Sequence, residues 1–239
     1  MTPFDDFWTA SGYSALHQRR LGERLREFRP DQVAGGRVTA DPFELPGAPQ
    51  FLDRPRDRLQ RLFRARRSTR EFSPRPLSAR RFGAVLAALA DEDGRAYPSA
   101  GGLHPVRAYA FLRNVEHGLN GRVVRYDARR HAVQDVGPAP DWVRLREVLA
   151  ADAEPAVVLV LVLADQPVLA KYGQRAGRFG LVEAGAAAQS VCLRMAQQRL
   201  GGYLLGGAAD AEVLALLGLR GQPVRLAAVI AFGPTFTRR

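Results

Sequence analysis

An uninterrupted apolar run, AVVLVLVLA at 156–164, constrains the fold of this chain more than any other stretch. A strand formed by this run would be apolar on both faces, and such strands lie inside a sheet that helices cover on both sides. Further strands are predicted at Val106–Leu112, Arg122–Tyr126, His131–Val136 and 224–233. Because helices and strands follow each other without a regular alternation, the sequence predicts one α+β domain.

Helical patterns fill most of the chain between these strands. They cover residues near 14–28, 58–66, 78–93, 141–150, 179–202 and 210–219. The segment 30–49 is rich in proline and glycine and has no period, which is typical of an arm that lies on another surface. We therefore divide the chain into an N-terminal arm, residues 1–55, and a domain, residues 56–239.

Composition narrows the classes of function. The net charge of +11 favours polyanions by its sign, but the arginines are dispersed rather than gathered in a stripe, so nucleic-acid binding is disfavoured. No apolar run approaches the ~20 residues that span a membrane, and the acidic N-terminus lacks the pattern of a secretory signal. Cys192 is the only cysteine, which excludes an intrachain disulfide and a cysteine metal cluster. We expect a cytoplasmic protein without a metal site.

Lys171 is the only lysine in a chain that otherwise uses arginine, and Tyr172 follows it. Arginine keeps its proton in proteins, whereas a desolvated lysine can lose its proton and act as a base. Nearby Arg175 and Arg178 would favour the neutral amine, and the phenol supplies a second proton carrier. A functional base at Lys171 and the chance survival of one lysine both remain open at this point.

Three other stretches can contact a ligand. RRSTREF at 66–72 gathers arginines and a serine, a set that binds phosphate, although a solvated basic turn has the same composition. YPSAGGLHP at 97–105 has adjacent glycines whose backbone N–H groups can approach a flat or anionic ligand, or it simply connects a helix to a strand. LGGYLLGGAAD at 200–210 can present backbone donors to a ring edge or form a tight turn. His104 lacks companions at metal-ligand spacing, so we expect a structural or pocket-lining role.

Taken in order, RRSTREF, YPSAGGLHPVRAY, KYGQRAGRFGLVEAGAAAQSVCL and LGGYLLGGAAD resemble the motifs of the nitroreductase superfamily of flavin enzymes. The resemblance runs from about Leu59 to Gly233 and is strongest to the azoline-oxidising branch, the SagB-type dehydrogenases. It implies an α+β nitroreductase-like fold with a central mixed or antiparallel sheet flanked by helices. It also implies an intertwined homodimer with one FMN at each of two subunit interfaces.

The resemblance carries cofactor contacts onto particular positions. Those that would meet the FMN phosphate, ribityl chain and pyrimidine edge are Arg66, Arg67, Ser68 and Arg70. Those that would come from the partner subunit are Pro98, Ser99, Ala100 and Gly102. Two glycines would lie near flavin N5, namely Gly206 and Gly207. Two basic residues that follow the last strand would reach the FMN phosphate, namely Arg238 and Arg239. The catalytic pair implied by the branch, in the role of base, is Lys171 and Tyr172.

The implied activity is oxidation of azoline rings to azoles in a ribosomal peptide natural product, after a cyclodehydratase has acted. One alternative is an NAD(P)H-dependent nitro- or quinone-type reductase. Others are a flavoprotein acting on a carrier-bound or free small molecule, and a basic nucleic-acid- or peptide-binding module without catalysis. Ser190 replaces the asparagine common in the family's Gln-Asn pair, and the N-terminal arm has no clear counterpart. Both departures bear on the substrate more than on flavin binding.

Overall fold

A six-stranded antiparallel sheet forms the centre of the structure, a computed structural model that describes residues 2–12, 14, 17, 20, 23, 27 and 50–236. The strands of the described residues are β1 (Leu77–Ser78), β2 (Val106–Leu112), β3 (Val115–Glu116), β4 (Arg122–Asp127), β5 (Ala132–Pro138), β6 (Val157–Ala164), β7 (Gly201–Leu205) and β8 (Val224–Gly233). Their order in the sheet is β5-β4-β2-β6-β8-β7, and every neighbouring pair is antiparallel. The short strands β1 and β3 pair with each other in parallel.

Strand β6 lies between β2 and β8 and is buried from Val157 to Leu163, as the apolar run predicted. Its side chains alternate between two hydrophobic clusters. Leu159 and Leu161 belong to one cluster, whereas Val158, Val160 and Val162 belong to the other. Apolar helices therefore cover the sheet on both sides, and the prediction of a central, doubly covered strand is confirmed.

The helices mostly match the predicted positions, with different ends. They are α1 (Pro3–Ser11), α2 (Arg58–Ala65), α3 (Ala79–Leu86), α4 (Trp142–Leu149), α5 (Asp165–Tyr172), α6 (Ala176–Gln197) and α7 (Asp210–Leu216). The Ser78 hydroxyl accepts a hydrogen bond from the Arg81 N–H and caps α3, as predicted. Helix α3 is shorter than the predicted 78–93, because the chain tightens into a 3₁₀ turn at Ala87–Leu89 and continues extended at Ala90. The helix expected near 14–28 falls largely outside the described residues, as does the segment 30–49.

Several elements differ from the sequence interpretation, among them the short strands β1 and β3, which were not predicted. Helix α5 follows β6 directly and was not predicted, and β7 was interpreted as a turn or a ligand-binding loop. Helix α1 was not predicted either, although Thr2 and Asp5 form a capping box at its start. Among the described residues, no helix is long and apolar enough to cross a membrane.

Helix α1 packs against the rest of the chain. Phe4 and Trp8 are buried in a hydrophobic cluster with Leu163, Val168 and Ala176. The backbone N–H of Phe4 donates to Gln174 Oε1 at 2.7 Å. A polar contact reinforces this packing, since the Arg225 guanidinium bridges Asp5 at 2.8 Å and Asp165 at 2.9 Å. The start of the predicted arm thus packs against the segment between β6 and α6, while the boundary at residue 55 stays a prediction.

Candidate functional site

The predicted site residues fall into groups near opposite ends of α6. Lys171 and Tyr172 end α5, and only a 3₁₀ turn at Gly173–Arg175 separates them from the first residue of α6. Arg66, Arg67 and Ser68 line a cavity of about 60 Å³ together with Cys192 and Met195 near the last turns of α6. Within one chain, the predicted base and the predicted phosphate-binding segment therefore lie far from each other.

The glycine-rich loop contacts Lys171 and Tyr172 at Gly101. The backbone of Gly101 adopts φ +62°, and a Cβ added there would collide with Nζ of Lys171 and lie 2.6 Å from Oη of Tyr172. The absence of a side chain at Gly101 is what lets the amine and the phenol approach this backbone. Sequence reasoning selected Ala100 and Gly102 in this loop, so the contacting residue lies between two predicted ones.

Packing holds the Tyr172 ring but not the Lys171 amine. The Tyr172 ring is half-buried and meets Phe179 edge-on, with ring centroids 4.8 Å apart and an interplanar angle of 65°. Lys171 is exposed, and its Nζ lies 5.5 Å from the Tyr172 ring centroid. The residues that the structure describes in one chain therefore do not provide the desolvation expected for a basic lysine.

Left-handed backbone and local hydrogen bonds shape the same loop. Gly102 adopts φ +66° and His104 adopts φ +46°, a conformation that costs a non-glycine residue about 1–2 kcal/mol. The Ser99 hydroxyl accepts a hydrogen bond from the His104 N–H at 2.8 Å, and the Arg107 guanidinium donates to the His104 carbonyl. These bonds hold the strained turn in place. Strain of this kind is frequent where a backbone is shaped for a ligand.

The RRSTREF segment packs against edge strand β7. The Thr69 N–H donates to the Gly202 carbonyl at 3.0 Å, and the Arg70 guanidinium lies 4.8 Å from the Tyr203 ring centroid. Burial raises the pKa of the Cys192 thiol, while the positive charge of Arg66 acts to lower it. The electrostatic effect of Arg66 agrees with its position beside α6.

A cationic cleft of about 750 Å³ adjoins this segment. Its charged lining consists of Arg67, Glu71, Arg75, Arg81 and Arg199. Four guanidinium groups against one carboxylate form a surface suited to phosphate. Burial and the neighbouring Arg80 lower the pKa of Arg81, whose guanidinium also donates to the Gln198 carbonyl at 2.5 Å.

Sequence reasoning missed Arg75, Arg81 and Arg199 because they are scattered along the chain and belong to no motif.

Gly206 is exposed after β7, and a Cβ added there would meet nothing within 4 Å. Gly206 borders a separate cavity of about 220 Å³ with Trp8 and Asp210. The predicted phosphate contacts Arg238 and Arg239 lie outside the described residues.

Another missed residue is Glu183, a buried carboxylate on α6. It is 1% exposed, and within the described structure neither of its oxygens has a hydrogen-bond partner. Its charge acts on Tyr97 and Arg107, so it lies close to the glycine-rich loop and β2.

No group of three or more His, Cys, Asp or Glu side chains in the described part of the chain could hold a metal ion.

Comparisons with known structures agree on the architecture. A chain of the Escherichia coli microcin synthetase McbBCD complex with truncated pro-MccB17 bound superimposes with a TM-score of 0.75 at 22% identity, covering 98% of this chain and 92% of that one. A Ralstonia eutropha protein described as a nitroreductase gives 0.65 at 21% identity, covering 81% and 89%. The Vibrio harveyi NADPH:FMN oxidoreductase gives 0.52 at 19% identity, covering 75% and 72%. At these identities the likeness establishes the fold.

Sequence comparisons establish the family. The model of the nitroreductase family matches residues 63–234. The nitroreductase-like protein MJ1384 of Methanocaldococcus jannaschii is 30% identical over 170 residues, which is 67% of this chain and 84% of that protein. The α+β fold predicted from the sequence is confirmed, and the chain belongs to the nitroreductase family.

Proposed function

We propose that this chain is an FMN-dependent oxidoreductase of the azoline-oxidising, SagB-type branch, and that it converts azoline rings in a peptide to azoles. The observation that carries the proposal is the approach of Gly101 to Lys171 and Tyr172. This contact joins the one amine of the chain, a phenol and the glycine-rich loop in a single cluster. The microcin synthetase neighbour, which has a pro-peptide bound, supports a peptide as the substrate and a cyclodehydratase as the partner enzyme.

The cofactor is FMN, and the chain has surfaces that fit it. The cleft lined by Arg67, Arg75, Arg81 and Arg199 suits the phosphate, with Ser68 as a further donor on the neighbouring segment. The absence of a side chain at Gly101 leaves room for a close approach to the Lys171 amine. When bound, FMN supplies the two-electron acceptor that azoline oxidation requires.

Lys171 and Tyr172 handle the proton in this proposal. Oxidation of an azoline removes one proton and one hydride equivalent from adjacent ring atoms. The neutral Lys171 amine takes the proton, and the Tyr172 hydroxyl orients the amine or passes the proton on. Transfer of a proton by a positioned base contributes about 10²–10⁴-fold to the rate. Arginine cannot replace Lys171 in this role, because it does not give up its proton.

Two copies of the chain are needed to join the two groups of residues. Between Ala176 and Cys192, α6 rises about 1.5 Å per residue, so the groups lie about 24 Å apart along it. Val182, Gly185 and Gln189 are exposed on one face of α6. A two-fold axis perpendicular to α6 would pair this face with its copy in antiparallel orientation and bring the start of one α6 to the end of the other. These features support the predicted homodimer with shared active sites.

The decisive experiment exchanges lysine and arginine. We expect Lys171→Arg to keep the visible absorption of the flavin and the dimer, and to lose azoline oxidation by about 10²-fold or more. Arg175→Lys, an exchange at an exposed site nearby, serves as the control and should turn over normally. Oxidation by Lys171→Arg at the parental rate would refute the role of the amine.

The same preparations distinguish the alternatives. Rapid reduction of the bound flavin by NADH or NADPH, with turnover of a nitroaromatic compound but not of an azoline peptide, would identify a nitro- or quinone-type reductase. A colourless protein with salt-sensitive DNA binding would identify a basic binding module instead.

A further inference from the structure

A polar cavity of about 450 Å³ borders the glycine-rich loop at Gly102, the residue after the one that contacts Lys171. Gly102, Leu103 and His104 form one wall, and the start of β2 and the end of β4 form others. The cavity has the size of a small-ligand site. Apart from Gly102, none of its lining residues belongs to the predicted cofactor contacts.

Arginine dominates the charged lining of this cavity. The positive side chains are Arg95, Arg107, Arg125 and Arg129, and the negative ones are Asp91 and Asp127. Their formal charges leave a surplus of positive charge. Arg95 pairs with Asp91 at 3.8 Å, whereas Arg107 and Arg125 form no ion pair within the described part of the chain.

Three of these cations, Arg95, Arg107 and Arg125, act on one another, and Arg95 and Arg107 are partly desolvated. The pKa of Arg107 is lowered by burial and then by the charges of Arg95 and Arg125. Glu183 acts on Arg107 in the opposite sense, but it does not line the cavity. Like charges at close range, two of them without a counter-ion, indicate a site that an anion completes.

Buried polar atoms without hydrogen-bond partners point to the same conclusion. The Arg95 side chain is only 9% exposed, and its Nε lacks a hydrogen-bond partner among the described residues. His104 Nδ1 is likewise buried without a partner. Buried polar groups normally have partners, so these atoms have hydrogen-bonding capacity left for a ligand.

We propose that this cavity binds carboxylates of an acidic peptide segment. The volume is larger than a single inorganic ion needs, and the rings of Tyr97 and Tyr126 offer apolar walls to the methylene groups of a glutamate. Since Gly101 contacts Lys171 and the next residues line the cavity, a bound acidic residue lies beside the predicted base. Its use as a substrate subsite rests on the proposed function, whereas the binding itself does not.

Calorimetric titration of the purified full-length protein at physiological salt tests the proposal, with N-acetylated, C-amidated triglutamate as the probe. Triglutamine and inorganic phosphate are the comparison ligands. Arg125 is exposed and forms no ion pair in the described structure, so Arg125→Gln should fold normally. We expect this variant to bind triglutamate about tenfold more weakly, because it removes a charged hydrogen-bond donor. The matched control is Arg144→Gln, which removes the same charge from an exposed pair with Glu147 on α4.

Binding of triglutamate but not triglutamine, weakened in Arg125→Gln and unchanged in Arg144→Gln, supports the site. If Arg125→Gln and Arg144→Gln lose the same affinity for triglutamate, the overall charge of the protein explains the binding, and the proposal is overturned. Binding of phosphate in preference to triglutamate would also overturn it. Flavin absorbance, recorded on the same samples, separates the two proposals. A yellow protein that fails to bind triglutamate contradicts only the cavity, and a colourless protein that binds it contradicts only the FMN-dependent activity.

Discussion

Substitution of Gly101 by alanine tests the contact on which the proposed function rests. The new Cβ would collide with the Lys171 amine and lie 2.6 Å from the Tyr172 hydroxyl, so one or both side chains must move. The lysine side chain is exposed and flexible, and it can move away at little cost. The Tyr172 ring is held against Phe179, so its displacement disturbs packed side chains.

The effect of Gly101→Ala has two parts. The strained backbone lowers the unfolding free energy, and the contact with Lys171 and Tyr172 lowers the turnover. Alanine at φ +62° costs about 1–2 kcal/mol of unfolding free energy regardless of its neighbours. Gly221 adopts φ +75°, and a Cβ added there meets nothing within 4 Å, so Gly221→Ala carries the backbone cost alone. Displacement of a catalytic group by about 1 Å lowers kcat by about 10²-fold. We therefore expect Gly101→Ala to lose at least as much stability as Gly221→Ala, and we expect a loss of turnover in Gly101→Ala alone.

The assay combines denaturant unfolding with azoline oxidation at saturating peptide, normalised to flavin content. Normalisation removes any difference in cofactor occupancy, and saturation removes any difference in peptide affinity. If Gly101→Ala matches the turnover of Gly221→Ala, the contact between the loop and Lys171 does not position the base. The reasoning from this geometry would then be wrong, even if the protein is a flavoenzyme.

Three further predictions concern the surroundings of the site. Trp8→Ala should lower the unfolding free energy by about 3 kcal/mol in denaturant titration, because it empties the cluster that α1 forms with Leu163. Burial raises the pKa of Asp165, so the contribution of this residue to stability is present below its unfolded pKa of about 4 and is lost as the pH rises through the raised folded value. Asp165→Asn should lack that part of the pH dependence in melting curves recorded between about pH 4 and 7. Val182 is 68% exposed on α6, and Val182→Glu should yield a monomer in light scattering with reduced flavin content, whereas an unchanged dimer would contradict the antiparallel pairing of α6.

The central strands could be predicted because their sequences are apolar on both faces. The bounds of β2 and β8 match the predicted residues, and β6 differs only at its first residue. Burial on both faces requires long apolar runs, and such runs have clear ends. Edge strand β7 carries two glycines and only a short apolar piece, Tyr203–Leu205, so its pairing with β8 depends on a tertiary contact that a local pattern does not contain.

Helix α5 escaped prediction for a related reason. It is short, it begins directly at the end of β6, and its N-cap residue Ala164 provides no side-chain hydrogen bond. Its residues Val168 and Tyr172 pack against α1 and α6, so packing rather than local preference stabilises it. The sequence had singled out Lys171 and Tyr172 by their chemistry, but not the element that positions them.

For the candidate site, the motifs could be found in the sequence, whereas the contacts between them could not. Of the four predicted stretches, the one that begins with Lys171 and RRSTREF lie near opposite ends of α6. Gly101 was passed over in favour of its neighbours, because only the tertiary contact reveals which of the two left-handed glycines approaches Lys171. The arginines of the cationic cleft converge from four segments of the chain, so no local motif identifies them.

The exposure of Lys171 sets a condition on the proposed chemistry. A lysine acts as a base only when its surroundings favour the neutral amine, through burial or neighbouring positive charge. Arg175 and Arg178 are exposed too, so solvent screens much of their effect on the amine in the single chain. Because the described residues leave the amine exposed, the covering in the proposed mechanism comes from the flavin ring, the second copy or the peptide itself. In that mechanism the base becomes active only in the assembled complex, which links proton removal to the presence of both the cofactor and the substrate.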